Sequence, residues 1–503
     1  MSVLKLLHEM RERSGTAKTI GLTDERLKDF LGRDTLLEEA IRLGHTAHGL
    51  YLERHPELIR GSEEVAIREL QADYVNFYAE DSVNPYVAIA AVGPWVITSH
   101  GAVLHDSGGY GMLGFGHRPA AVIAAMAQPW VMANVMTASF SHQRFAENLK
   151  REIGHTRGGC PFSRFLCMNS GSESVTVAAR FSDVNAKRLS GPGGRYEGRT
   201  PKFLAIKGAF HGRTDRPAQL SDSSLPNYRR SLHSFASRDN LVTIPPNDIS
   251  ALNKAFQGAD EGGYFFEAMF IEPVMGEGNP GLAVTPEFYQ EARSLTKAAG
   301  ALLLVDSIQA GLRTHGVLSV VDYPGFQSLE APDMETYSKA LNAGQYPLSV
   351  LALNASTAAT YARGMYGNTM TTNPRALEVA NAVLESITPA LRENVSRSGR
   401  ALVSAFESLQ QELPELIEGV QGTGLLMSVA LNPARCTVLG FGGIEEYCRI
   451  NGIGVIHGGT NSLRFTPHFG LTDAEIALIV SVVREALVAL SGGQVQARQA
   501  VAG

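Results

Sequence analysis

The stretch TPEFYQEARSLTKAAG, running without a break into ALLLVD, limits the fold more than any other part of this chain. Thr285 is a helix-capping residue, and Pro286 suits a first helical turn because its φ is already fixed and its missing N–H would have gone unbonded there. Gly300 stands where a left-handed residue ends a helix. Apolar residues then lead straight to Asp306. A helix feeding a short strand that is apolar on both faces is half of a parallel βαβ unit, since only a strand covered on both sides has no polar face. RFLCMN followed by SGSESVTVAARFSDVNAKRL makes a second unit, and EAMFIEP supplies a third strand. From about residue 96 onward the pattern predicts an α/β fold around a parallel sheet.

Residues 1–95 read differently. TLLEEAIRL and EEVAIRELQADYVNFY have helical spacing, the first with Thr35 and Glu38 as a capping box. They predict a helical N-terminal extension that covers a surface or a subunit contact. LTDAEIALIVSVVREALVAL, with Thr472 and Glu475 as another capping box, predicts a long helix near the C-terminus. SGPGGRYEGRTP is expected to be a surface loop.

Several function classes are disfavoured. A formal net charge of -6 suits neither a nucleic-acid surface nor an anionic membrane. The apolar stretches YVAIAAVGPWVI and AAVIAAMAQPWVMANVM are too short or too interrupted by proline to span a bilayer. The opening MSVLKLLHEMRERSG scatters charges through its apolar positions, unlike a signal peptide, so a cytoplasmic protein is expected. Cys160, Cys167, Cys436 and Cys448 form no CxxC pair, and the histidines form no HExxH, so neither disulfides nor a metal site are expected. GYGMLG matches G-x-G-x-x-G at Gly109, Gly111 and Gly114, but the helical pattern starts only near Pro119. A dinucleotide fingerprint opens a helix inside its glycines, so a tight connection is expected instead.

Chemistry concentrates in three places. Asp306 closes a buried strand, at the sheet edge where ligands of open α/β folds bind; taken alone, such an acid more often caps the next segment or pairs with an arginine. Lys339, in YSKALNAGQYPLSV, is the last lysine of the chain and follows the strand-like METYS. A lysine drawn out of water loses affinity for its proton and becomes a nucleophilic amine. In NSGSES, Ser170 and Glu173 form a capping box, and the N–H groups of Gly171 and Ser172 at a helix start suit a phosphate. An acid, an isolated amine and an anion cup together match the needs of pyridoxal phosphate.

The chain resembles the class III aminotransferases, fold type I pyridoxal-phosphate enzymes that include ornithine, acetylornithine, lysine and 4-aminobutyrate aminotransferases. The resemblance runs in order through GAVLHDSGGYGMLGFGHRP, NSGSES, AFHGRT, EPVMGEG, DSIQAG, YSKAL and NTMTTNP. It implies a mostly parallel seven-stranded sheet in a large cofactor-binding domain at 131–385. It also implies a smaller α+β domain built from 96–130 and 386–490, and a tail at 491–503. By residue, Lys339 would form the internal Schiff base and move a proton, and Asp306 would keep the pyridine nitrogen protonated. Gln309 would bond the ring hydroxyl, Phe210 would stack on the ring, and Gly171 and Ser172 would bind the phosphate. Thr369 would reach the phosphate of a neighbouring subunit, implying a homodimer. His211 and Glu272 stand in matching motifs as supporting residues.

The departures concern substrate. Gln421 stands in VQGTGLL where familiar members carry a carboxylate-binding arginine, and a neutral amide cannot make that bidentate contact. Glu277, in the GEG segment, would lose its internal counter-ion. Arg213 in FHGRT resembles an arginine that takes a distal carboxylate, or else forms a structural ion pair. Ser307 replaces the usual glutamate after the strand aspartate. The expected donor is therefore an amine, diamine or ω-amino compound, with an oxo acceptor in a ping-pong exchange. The alternatives are another reaction of the same cofactor, such as decarboxylation, epimerisation or an aminomutase shift, and a non-catalytic homologue.

Overall fold

A computed structural model describes residues 2–237 and 239–501, with side chains as far as residue 491. Positions 492–503 of the tail expected at 491–503 therefore lie outside the described side chains. The chain divides into two compact units: Met1–Pro119 with Arg397–Gln421 and Met427–Gly503, and Ala120–Ser396 with Gly422–Leu426.

In the first unit the N-terminal helices stop at Gln71. YVAIAAVGPWVI, expected to be part of a helical extension, instead forms strands β1 (Ala88–Val92) and β2 (Trp95–Thr98), paired antiparallel across Gly93 at φ 56°. β3 (Val103–Asp106) pairs antiparallel with β2, and Ile453–Gly454 joins β3 in parallel. The extension is built into this unit. Gly44 lies so close to β2 that a Cβ there would stand 2.5 Å from Ile97. The buried Glu63 accepts bonds from the N–H groups of Lys18, Thr19 and Val87 at 3.0, 2.9 and 3.4 Å.

The helix cap expected at Thr35 is instead made by Asp34, one residue earlier, without the reciprocal Glu38 bond of a capping box. Asp34 accepts the N–H groups of Leu36 and Leu37 at 2.9 and 3.2 Å, and its other oxygen takes the indole N–H of Trp95 at 2.7 Å. An extended aspartate that can serve both a helix start and a buried indole displaces the threonine. GYGMLG forms one short 3₁₀ turn, Gly109–Gly111, and the next helix opens at Ala120.

The second unit holds the sheet that matters for chemistry. Its strands are β4 (Arg164–Met168), β5 (Thr200–Ile206), β6 (Leu241–Ile244), β7 (Tyr264–Ile271), β8 (Leu302–Asp306), β9 (Met334–Tyr337) and β10 (Ser349–Leu353). They lie in the order β4-β10-β9-β8-β7-β5-β6. β10 runs against both neighbours, and all the others run one way. The expected helix Pro286–Ala299 precedes β8, capped by Thr285 and closed by Gly300 at φ 72°. The Gly171–Ser190 helix covers one face, placing Phe181 in a core with Phe203, Phe270, Leu304 and Met334. Each such side chain contributes about 1.5–3 kcal/mol by leaving water. Because β4, β5, β7, β8 and β9 share one direction, their carboxyl ends open on one edge. NSGSES, AFHGRT, EPVMGEG, DSIQAG and YSKAL all begin at that edge.

Candidate active site

β8 and β9 bring the acid and the amine to neighbouring strand ends. Asp306 pairs in register with Thr336, three residues before Lys339. The buried Asp306 carboxylate has two partners: His211 Nδ1 at 2.9 Å on Oδ2, and the Ile308 N–H at 3.2 Å on Oδ1. A carboxylate facing Nδ1 favours the tautomer with its proton on that nitrogen. His211 is held in turn by its own N–H, which donates to Ser221 Oγ at 2.9 Å, while that hydroxyl donates to the Gly212 carbonyl at 2.8 Å. His211 was expected only as a supporting residue; its partner lies 95 positions away and leaves no local signal.

Lys339 is half-buried and its backbone sits at φ 38°, a region a lysine rarely adopts. Ser338 Oγ and Asn342 Nδ2 pin the turn on either side by donating to the Leu348 carbonyl at 2.8 and 2.9 Å.

Glu272 follows β7 and ties two loops together. It accepts the Phe210 N–H on one oxygen and the Gly276 N–H on the other, both at 2.9 Å. Burial pushes its carboxyl up to about 7, against the pull of His211. Gln309 packs on Gly276, where a Cβ would stand 2.7 Å from the amide carbon. Glu277 is half-buried in the same loop. Phe210 is half-buried beneath Arg213, whose guanidinium lies 5.3 Å from the ring centroid.

The capping box expected in NSGSES forms. Ser170 Oγ accepts the Glu173 N–H at 3.3 Å, and Glu173 returns the bond to the Ser170 N–H at 3.1 Å. A Cβ at Gly171 would stand 2.7 Å from the end of the Ile308 side chain, which a larger residue would have to displace. Ser172 Oγ accepts the Arg213 N–H at 3.3 Å, joining this loop to the one after β5. Thr369 is exposed, and its carbonyl accepts Asn134 Nδ2 at 3.1 Å. Gln421 lies on the strand Ile417–Thr423 and belongs to the first unit.

Two buried polar atoms at this edge, His211 Nε2 and Gln309 Oε1, have no hydrogen-bond partner among the described residues. Buried polar atoms are rarely left so, and a bound polar group would satisfy them. With a paired carboxylate, an amine and a helix start, the edge suits a planar, anionic, carbonyl-bearing ligand.

In the first unit, His105, His468 and Glu475 bring ligand-type atoms within 4.8 Å of one another. Both imidazole Nε2 atoms face Glu475 Oε1, at 3.1 and 2.9 Å. Thr472 bonds the other oxygen through its N–H at 2.7 Å and its hydroxyl at 2.6 Å. This is the capping box expected at the terminal helix, enlarged by two histidines. Burial opposes the charge, but those donors hold the carboxyl well below its usual range. Four donors satisfy the group without an ion.

Comparison with known proteins shows the family. A family model described as aminotransferase class-III matches residues 77–487. The acetylornithine aminotransferase of Xanthomonas axonopodis pv. citri is 30% identical over 376 residues, 74% of this chain and 85% of that protein. The putrescine aminotransferase of Pectobacterium atrosepticum is 29% identical over 398 residues, 76% of this chain and 78% of that one. The ornithine aminotransferase structure from Toxoplasma gondii superposes with a TM-score of 0.71 at 22% identity, covering 88% of this chain and 99% of that chain. The resemblance carried by the motifs is thus a relationship over most of the chain, and the protein belongs to the class-III aminotransferases, pyridoxal-phosphate enzymes of fold type I.

Proposed function

We propose that this enzyme takes an amino group from a diamine or another ω-amino compound and passes it to an oxo acceptor in two half-reactions, with Lys339 as the residue that holds pyridoxal phosphate. One observation carries the reading: Asp306, bonded to His211, ends β8, and Lys339 follows directly on the end of the adjacent parallel strand β9. When bound, the cofactor supplies an electron sink that no side chain offers.

The chain's own residues do the rest. Lys339 is the amine for the cofactor's aldehyde and the group that moves the substrate proton. Asp306 would face the ring nitrogen, with His211 keeping it oriented. Gln309 and Phe210 fix the ring plane, and the N–H groups of Gly171 and Ser172 receive the phosphate, aided by the helix dipole. His211 Nε2 and Gln309 Oε1, without a partner among the described residues, support this placement.

The donor class follows from charge. Gln421 offers no guanidinium to an α-carboxylate, while Glu277 leaves a carboxylate suited to a second ammonium group. Relatives named for putrescine and for acetylornithine both point to donors with a terminal amine. Arg213 is the residue for a distal carboxylate where the second substrate carries one.

A homodimer completes the site through Thr369. Large apolar side chains stand exposed near that segment, with Val135 at 72%, Met136 at 89%, Phe140 at 90% and Met370 at 57% exposure. Such a patch is costly unless a partner covers it.

The deciding experiment mixes purified enzyme with single donors and no acceptor, following the visible absorbance of the bound cofactor. Diamines and ω-amino acids are expected to convert it in one turnover, and plain α-amino acids poorly. The opposite preference would refute the donor class.

A further inference from the structure

Asp306 occupies one face of the sheet, and the other face also carries an acid. Glu335 has no exposed surface and lies on β9 between Met334 and Thr336. A carboxyl at such a position is costly unless it is hydrogen-bonded. Ser307 Oγ donates to its Oε1 at 2.6 Å, the Val320 N–H to the same oxygen at 2.9 Å, and Ser319 Oγ to Oε2 at 2.5 Å. Ser307 directly follows Asp306, and Glu335 comes four residues before Lys339. Since Asp306 pairs with Thr336 and successive side chains alternate, Glu335 faces away from the Asp306 carboxylate. Its bond to Ser307 therefore crosses between the two strands at the point where both leave the sheet.

This link has something to hold. Lys339, at φ 38°, is in a conformation that persists only where surrounding contacts enforce it. The Ser338 and Asn342 bonds fix the far side of that turn, and Glu335 fixes the near side. Burial pushes the Glu335 carboxyl up to about 7, against the pull of the Ser307, Ser319 and Val320 bonds.

We propose that Glu335 is a positioning residue for the transamination: through Ser307, Ser319 and Val320 it fixes the spacing between the strand ends that present Asp306 and Lys339. The proposal rests on the roles given to those two residues above.

The test compares Glu335→Ala, Glu335→Gln and Ser307→Ala in three quantities. These are the cofactor dissociation constant, the pH midpoint of the bound cofactor's visible absorbance, and kcat against KM. For Glu335→Ala, kcat should fall roughly 10- to 100-fold with KM changed less than about threefold, as expected when reacting groups are displaced. Cofactor affinity should weaken by about tenfold, and the absorbance midpoint should move. Glu335→Gln, which keeps an acceptor, should recover most of each quantity, with Ser307→Ala lying between. Wild-type affinity, midpoint and kcat in Glu335→Ala, with only a lower melting temperature, would overturn the proposal. If that variant fails to fold, wild-type values of all three in Ser307→Ala overturn it. Failure of the underlying reading looks different: the wild-type enzyme itself would then carry its cofactor on an amine other than Lys339.

Discussion

At the scale of single residues, Lys339 and Asp306 are not equivalent in what supports them. Lys339→Ala removes the amine outright, so turnover should fall by roughly a thousandfold or more, as for loss of a nucleophile and proton carrier. Peptide mapping after borohydride reduction should also lose its cofactor-bearing fragment. His211→Phe tests the support instead. A hydrogen bond to a charged group is worth about 1.5–3 kcal/mol, so losing the 2.9 Å bond to Asp306 should lower kcat/KM by roughly 10- to 100-fold. Titration of apoenzyme with cofactor separates this from unfolding, because weakened binding with an unchanged apo melting point marks a local effect.

At the scale of elements, the two strands that present the acid and the amine also carry a pH signature. Glu335 titrates near 7 when folded, above the ordinary carboxyl value, because burial disfavours its charge. The native state therefore holds a proton that the unfolded chain gives up. Stability from this group is complete below the unfolded value near 4.5 and is lost as pH rises towards 7. The wild-type apoenzyme should lose up to about 3 kcal/mol from this source between pH 5 and 8. Urea unfolding should show Glu335→Gln lacking that part of the slope; an equal slope in both proteins would exclude the assignment. The helix into β8 was readable in advance because its cap, first-turn proline and closing glycine are local signals. The Asp34 cap and the β1–β2 hairpin were not, since a buried indole and a partner strand decided them.

At the scale of the whole molecule, the proposed subunit contact through Thr369 is open to measurement. Sedimentation should give twice the 54.0 kDa chain mass. Met136→Asp with Phe140→Asp should yield monomers that bind the cofactor more weakly, whereas an unaltered dimer would remove the argument from the exposed patch. The sequence by itself determined the α/β class and singled out Asp306, Lys339 and the NSGSES helix start as the candidates for acid, amine and anion cup. Those depend on neighbours a few residues apart and on strands too apolar to face water. Only the tertiary structure decided that His211 braces Asp306, that Glu272 joins two loops and that Glu335 meets Ser307. Each of these joins residues far apart in sequence, and which donor reaches a buried carboxylate is set by strand register and packing rather than by any local pattern.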